Sequence, residues 1–165
     1  MDTPTPAQSL SENDVLEAAA HLVAAFARTD TAEYFAAFAP EATFVFHTEP
    51  ARLENRTEYE VLWASWLADG WSVTACESTD ALVQVYGSSA VFSHTVLTTA
   101  GTPGAAATTR ERETIVFTRV GDRILAVHEH LSSVPEPGFS LEPVDAGAAA
   151  GAEADAAVAP VVVVA

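Results

Sequence analysis

Two histidines one residue apart, His128 and His130, flank Glu129 near the end of the chain, and His94 and Glu113 stand on earlier segments of similar β-branched and aromatic character. Side chains alternate along a strand, so His128 and His130 share one face while Glu129 lies on the other with Val127 and Leu131. Proton transfer needs a group that titrates near neutrality, which a half-buried histidine or a desolvated glutamate supplies. His130, His94 and Glu113 are the candidate catalytic groups on that ground. His94 shares its strand face with Phe92 and Val96, a setting that equally suits a hydrogen-bonded core histidine. The His128-x-His130 spacing would also let two imidazoles share an ion. No histidine follows the pair, and His47 or His94 would have to complete the set, so the expectation is a hydrogen-bonded pair with no metal and no cofactor.

Which groups meet across the last hairpin depends on its turn. Arg112, Thr114 and Val116 share one face of the preceding strand, and Glu111, Glu113, Ile115 and Phe117 share the other. A two-residue Gly121-Asp122 turn sets Glu113 across from His130. A connection of odd length sets Thr114 beside the histidines and Glu113 beside Glu129.

A second group of residues suits ligand binding rather than proton transfer. Tyr59, Trp63 and Trp66 form an aromatic stripe at helical spacing that would wall a pocket for an apolar molecule, or pack as ordinary core. Phe46 and His47 end a strand and are placed at a pocket mouth. His128 and Glu129 complete the candidate ligand-binding set. Cys76 has no base near it in sequence and is not read as a nucleophile.

These residues need elements to position them. Ser11, with Asp14 three residues on, starts a helix running to about Arg28, and Asp30 caps a short second helix that Pro40 ends. Residues 42–47 read as a strand. Asn55 caps a third helix to about Ala68, closed by Gly70. After it the runs 71–78, 81–87, 90–99, 108–119 and 123–132 read as strands separated by turn chemistry. The order predicts an α+β domain, three helices packed on one face of a strongly curved antiparallel sheet.

The composition bounds what such a domain does. The chain has 165 residues, 23 acidic against 7 basic, and every basic residue is Arg. A net charge of −16 repels phosphate backbones and anionic membranes, so neither nucleic acid nor membrane is an expected partner. Asp2 and the segment after Pro135 hold six acids and no base, leaving about −10 for the rest. Residues 1–9 and the Ala/Gly/Val-rich stretch 135–165 read as disordered, with 10–134 as the domain. The opening residues lack signal-peptide character, and the expected location is the cytoplasm.

The string RERETIVF (110–117), a short turn and ILAVHEHLS (124–132), after three helices and an early strand, resemble the C-terminal hairpin of the SnoaL-like or nuclear transport factor 2-like superfamily. The resemblance covers about residues 10–134 and implies a cone of bent sheet and helices with a pocket inside, and a homodimer. The superfamily includes ketosteroid isomerase-like enzymes, polyketide cyclases, epoxide hydrolases and non-catalytic domains, and fold alone does not choose among them. The aspartate–arginine–aspartate set of the epoxide hydrolases and the strand aspartates and tyrosine of the ketosteroid isomerases find no matching positions. The anion-binding arginines of kinase-association domains would fall near Ile115 and Leu131, so that activity is not expected. The reading is a domain whose pocket binds a small hydrophobic or aromatic molecule. The alternatives are an isomerase or cyclase moving a proton next to a carbonyl, and a non-catalytic dimerisation scaffold.

Overall fold

The computed structural model describes residues 9–135; the expected disordered ends lie, apart from Ser9 and Pro135, outside the described residues. Helix α1 spans Glu12–Ala27, α2 Thr31–Ala36 and α3 Arg56–Ala68. Each begins directly after its predicted cap, Ser11, Asp30 or Asn55. Ser11 and Asp14 form a reciprocal capping box, Asp30 accepts from the Glu33 amide at 3.2 Å, and Asn55 accepts from the Glu58 amide at 3.0 Å.

Five strands follow the order β1 (Phe38–Phe46), β2 (Ser72–Tyr86), β3 (Ser89–Gly101), β4 (Ala107–Val120) and β5 (Arg123–Ser133). They form one curved, open sheet in the order β1-β5-β4-β3-β2. The last four make an antiparallel meander, and β1 joins β5 in parallel.

Two local readings change. Segments 71–78 and 81–87 are one long strand, because the break between them is a register shift at Thr79–Leu82, with Asp80 at φ 56°, and not a turn. Pro40 does not end α2, which stops at Ala36; it sits in β1 where the pairing with β5 shifts between Phe38 and Thr43. Proline lacks an amide proton and is tolerated at such an irregularity of an edge strand.

A third irregularity sets the last hairpin. The Gly121-Asp122 turn has two residues, with Val120 paired to Arg123, and Phe117 pairs with Ala126 as that turn requires. Val116 then pairs with His128, so Val127 is an extra residue on β5. From there on the register is the one an odd connection would produce. Thr114 faces His130, Ile115 faces Glu129, and Glu113 faces Leu131.

The core lies between the inner face of the sheet and the helices. Trp63 is fully buried, stacked on Tyr34 at 5.1 Å between ring centroids, and its indole donates to Thr31 Oγ1 at 2.9 Å. Phe38, Phe44, Ile115 and Phe117 close the base of this core.

Candidate functional site

The inner face of β4 carries Glu111, Glu113, Ile115 and Phe117, all buried. Burying carboxylates is costly unless they are neutralised or hydrogen-bonded. Here they border a small cavity of about 40 Å³, bounded by Leu22, Val23 and Phe26 from α1 and by the rings of Tyr34, Phe46, Tyr59 and Trp66. Glu111, Glu113 and Glu129 all line it, and among the described residues no basic side chain does.

The three carboxylates find different partners. Glu113 pairs directly with His94 across β3–β4, and its Oε2 is hydrogen-bonded to His94 Nε2. The His94 ring is wholly inaccessible, and its other nitrogen, Nδ1, lies 2.6 Å from Ser78 Oγ on β2. Glu111 Oε1 lies 2.5 Å from His47 Nε2, and Thr109 Oγ1 donates to Glu111 Oε2 at 3.3 Å. Glu129 is bordered by hydroxyls instead. The Tyr34 hydroxyl donates to Glu129 Oε2 at 3.4 Å and lies 3.3 Å from the Tyr59 hydroxyl.

Desolvation is the largest cause that raises the Glu129 pKa well above the ordinary carboxylate value, followed by the charge of Glu113 and a hydrogen bond with it. The Tyr34 hydroxyl works in the opposite direction, because it favours the charged form. Burial also raises Tyr34 and Tyr59 well above the usual phenol value, so both are hydroxyl donors across the working pH range. Glu129 is thus a carboxyl group whose buried setting disfavours its charged form, with Glu113 beside it on the sheet and the Tyr34 hydroxyl within hydrogen-bond reach.

The candidate residues fall into three places. Phe46, Tyr59, Trp66, Glu113 and Glu129 line the cavity. His94 and His47 stand one hydrogen bond behind its carboxylates, His94 deep and His47 at the half-exposed mouth, where Ser133 Oγ is 3.3 Å from its Nδ1. Trp63, His128 and His130 do not line it. Trp63 is core, His130 is exposed on the outer face, and His128 lies on that face with its Nδ1 2.8 Å from Thr43 Oγ1. Among the described residues no group of three metal-ligating side chains converges.

Tyr34 and Glu111 were not candidates in the sequence. Tyr34 reads there as part of an apolar patch on a short helix. Glu111 shares the strand period of Glu113, and that period was the signal that could have found it.

A family model for the SnoaL-like domain matches residues 15–137. The chain belongs to the SnoaL-like domain family. Solved structures agree on the fold. An NTF2-like protein of unknown function in nutrient uptake from Rhodospirillum rubrum is 21% identical, with a TM-score of 0.65 over 74% of this chain and 99% of its own. A candidate dehydratase of the NTF2-like family from Streptomyces avermitilis is 22% identical, with a TM-score of 0.65 over 75% of this chain and 96% of its own. The association domain of C. elegans CaMKII is 19% identical, with a TM-score of 0.58 over 74% and 95%. No curated protein matches the chain. At these identities the likeness is one of fold, so the chemistry of this SnoaL-like domain has to be argued from its own cavity.

Proposed function

We propose that this SnoaL-like domain binds a small hydrophobic or aromatic carbonyl compound and moves a proton next to the carbonyl. The observation that carries the reading is the buried Glu129, with its carboxyl pushed toward the neutral form, beside Glu113 at the wall of an aromatic cavity. Two carboxyl groups in one site with different proton affinities provide an acid and a base without any metal. The Streptomyces relative's description fits related chemistry, since loss of water also needs an acid and a base.

The roles follow from the partners. The apolar walls hold the substrate and exclude water, which strengthens the polar contacts inside. Glu129, as the neutral acid, donates a hydrogen bond to the carbonyl oxygen, and the Tyr34–Tyr59 hydroxyl pair stands beside it to stabilise the oxygen as negative charge develops. Glu113 accepts the proton from the adjacent carbon. His94 holds the Glu113 carboxylate in place, and Ser78 holds the His94 ring.

A simple β,γ-unsaturated ketone such as 3-cyclohexenone tests this. Its conversion to the conjugated isomer is read by ultraviolet absorbance, and proton exchange next to the carbonyl is read by deuterium uptake. Glu113→Gln and Glu129→Gln are each expected to lower the rate by ~10²-fold or more. Turnover equal to the buffer rate in the intact protein, with binding retained, would leave a binding domain without chemistry.

The reading also includes a homodimer formed through the outer face of the sheet. Leu97, exposed on the outer face of β3, and the exposed Leu82 and Tyr86 of β2 support it. A single sedimenting species of monomer mass at micromolar concentration would count against it.

A further inference from the structure

The pairing across the sheet sets four side chains in a row on its inner face. Ser78 of β2 pairs with Val96, which puts it diagonally beside His94, two residues away on the same face of β3. His94 pairs directly with Glu113 of β4. Glu113 pairs with Leu131 of β5, which puts it diagonally beside Glu129. Hydrogen bonds follow the first three members of this row, from Ser78 Oγ to His94 Nδ1 at 2.6 Å and from His94 Nε2 to Glu113 Oε2, and Glu129 stands next to Glu113 on the same face.

The two ends of the row differ in their access to water. Glu129 is 3% exposed, whereas Ser78 is exposed on the edge strand and lines a shallow groove against α1 with Leu16 and Ala20. His94 lies between them with no accessible side-chain surface and both ring nitrogens engaged. A structural role for a buried histidine needs its nitrogens satisfied and nothing more. This one is satisfied by an acid in the cavity on one side and a solvent-facing hydroxyl on the other.

We infer that Ser78 and His94 form the path by which the buried Glu113–Glu129 pair exchanges its proton with solvent. The inference rests on the acid–base reading of the same site. Outward, a protonated Glu113 gives its proton to Nε2, Nδ1 releases its own to Ser78 Oγ, and Ser78 passes its hydroxyl proton to water. The imidazole ends in the other tautomer. Inward, water protonates Ser78, Ser78 protonates Nδ1, and the Nε2 proton returns to Glu113. Each hop breaks one O–H or N–H bond and forms one, and one proton in and one out restore the starting tautomer. The competing path leads through the mouth, from Glu111 to His47 and Ser133.

The test needs no substrate. In 15N-labelled protein the His94 ring proton is assigned by its loss in His94→Gln, and its exchange with water is measured by NMR. Ser78→Ala is expected to slow that exchange by ~10-fold or more, because exchange then requires opening of the buried site. Ser78→Thr, which keeps the hydroxyl, is expected to restore it. His47→Gln is expected to leave it unchanged. An unaltered rate in Ser78→Ala overturns the inference, as does slowing in His47→Gln alone. Ketone isomerisation by the intact protein judges the acid–base reading separately. A silent ketone assay with slowed exchange in Ser78→Ala removes the reaction and keeps the path, and the reverse pair of results removes the path and keeps the reaction.

Discussion

Glu129 stands directly across the β4–β5 ladder from Ile115, one position from where the hairpin's own turn would set it. A two-residue turn alone aligns Glu129 with Thr114, on the outer face. The extra residue Val127 moves Glu129 inward and His130 outward together, since a shift of one residue exchanges the faces of a strand. The cavity's acid is there because of a bulge.

Inserting one alanine between Val116 and Phe117, opposite Val127, is therefore expected to be damaging. The bulge then becomes a regular pair, and beyond it the strands exchange faces, aiming His128 and His130 at an apolar cavity. Thermal or denaturant melts are expected to show a loss of ~3 kcal/mol or more, the scale of burying an unpaired polar group. Deleting Val127 leaves every other pair of the ladder in place and is expected to cost far less. An insertion variant as stable as the parent would mean that the bulge does not hold this register.

His130→Gln and Trp63→Ala should separate surface from core. His130 is exposed, so its replacement is expected to change stability by no more than ~0.5 kcal/mol and leave ketone turnover intact. Trp63 is fully buried, and truncating it is expected to cost ~3–5 kcal/mol. Trp66 lines the cavity, so Trp66→Ala is expected to weaken binding of an aromatic probe well beyond its effect on melting. Calorimetric binding and melting curves on the same preparations check all three.

Glu129 imposes a pH dependence of known sign. Its folded-state pKa is raised, so the folded chain binds more protons than the unfolded one above about pH 4.3. Its contribution to stability is fully present below that value and is lost as pH climbs through the raised one. Glu129→Gln keeps a neutral donor and removes the loss. The variant is expected to melt above the parent at pH 8, with the gap closing toward pH 4. A gap of constant size would show that Glu129 holds an ordinary carboxylate pKa.

Cys76 offers an independent probe of the cavity's charge. Burial pushes its thiol up to about 11, opposed by a hydrogen bond with Thr98 and aided by the charges of Glu113 and Glu111. Alkylation by iodoacetamide is expected to be slow at pH 8 and to rise with pH toward that value, because the thiolate is the nucleophile. Glu113→Gln is expected to accelerate it at fixed pH. Reaction at the rate of a free thiol at pH 8 would contradict this setting.

Much of the domain was legible in one dimension. The three helix caps are local hydrogen bonds between residues three apart, and the period-two runs name the strands, because both depend on neighbours along the chain. The α+β class and the family resemblance follow from the order of those elements. The carboxylates of β4 were also legible as a shared face, and Phe46, Tyr59 and Trp66 as an aromatic group fit to line a pocket.

The face that meets the cavity was decided by tertiary pairing. Turn length and strand period are encoded locally, whereas the extra residue at Val127 exists only in the ladder with β4 and the parallel pairing with β1. Trp63 and Trp66 stand three residues apart on one helix, yet only packing against Tyr34 and Phe35 makes one core and leaves the other at the cavity wall. The proton affinity of Glu129 is likewise not a property of its sequence neighbours. It arises from burial and from Glu113, 16 residues away, against the opposing hydroxyl of Tyr34, 95 residues away. Local patterning along the chain specifies the elements and the chemistry available to them. Only the folded sheet decided which of those groups share a cavity, because register is a long-range property that one added residue reverses.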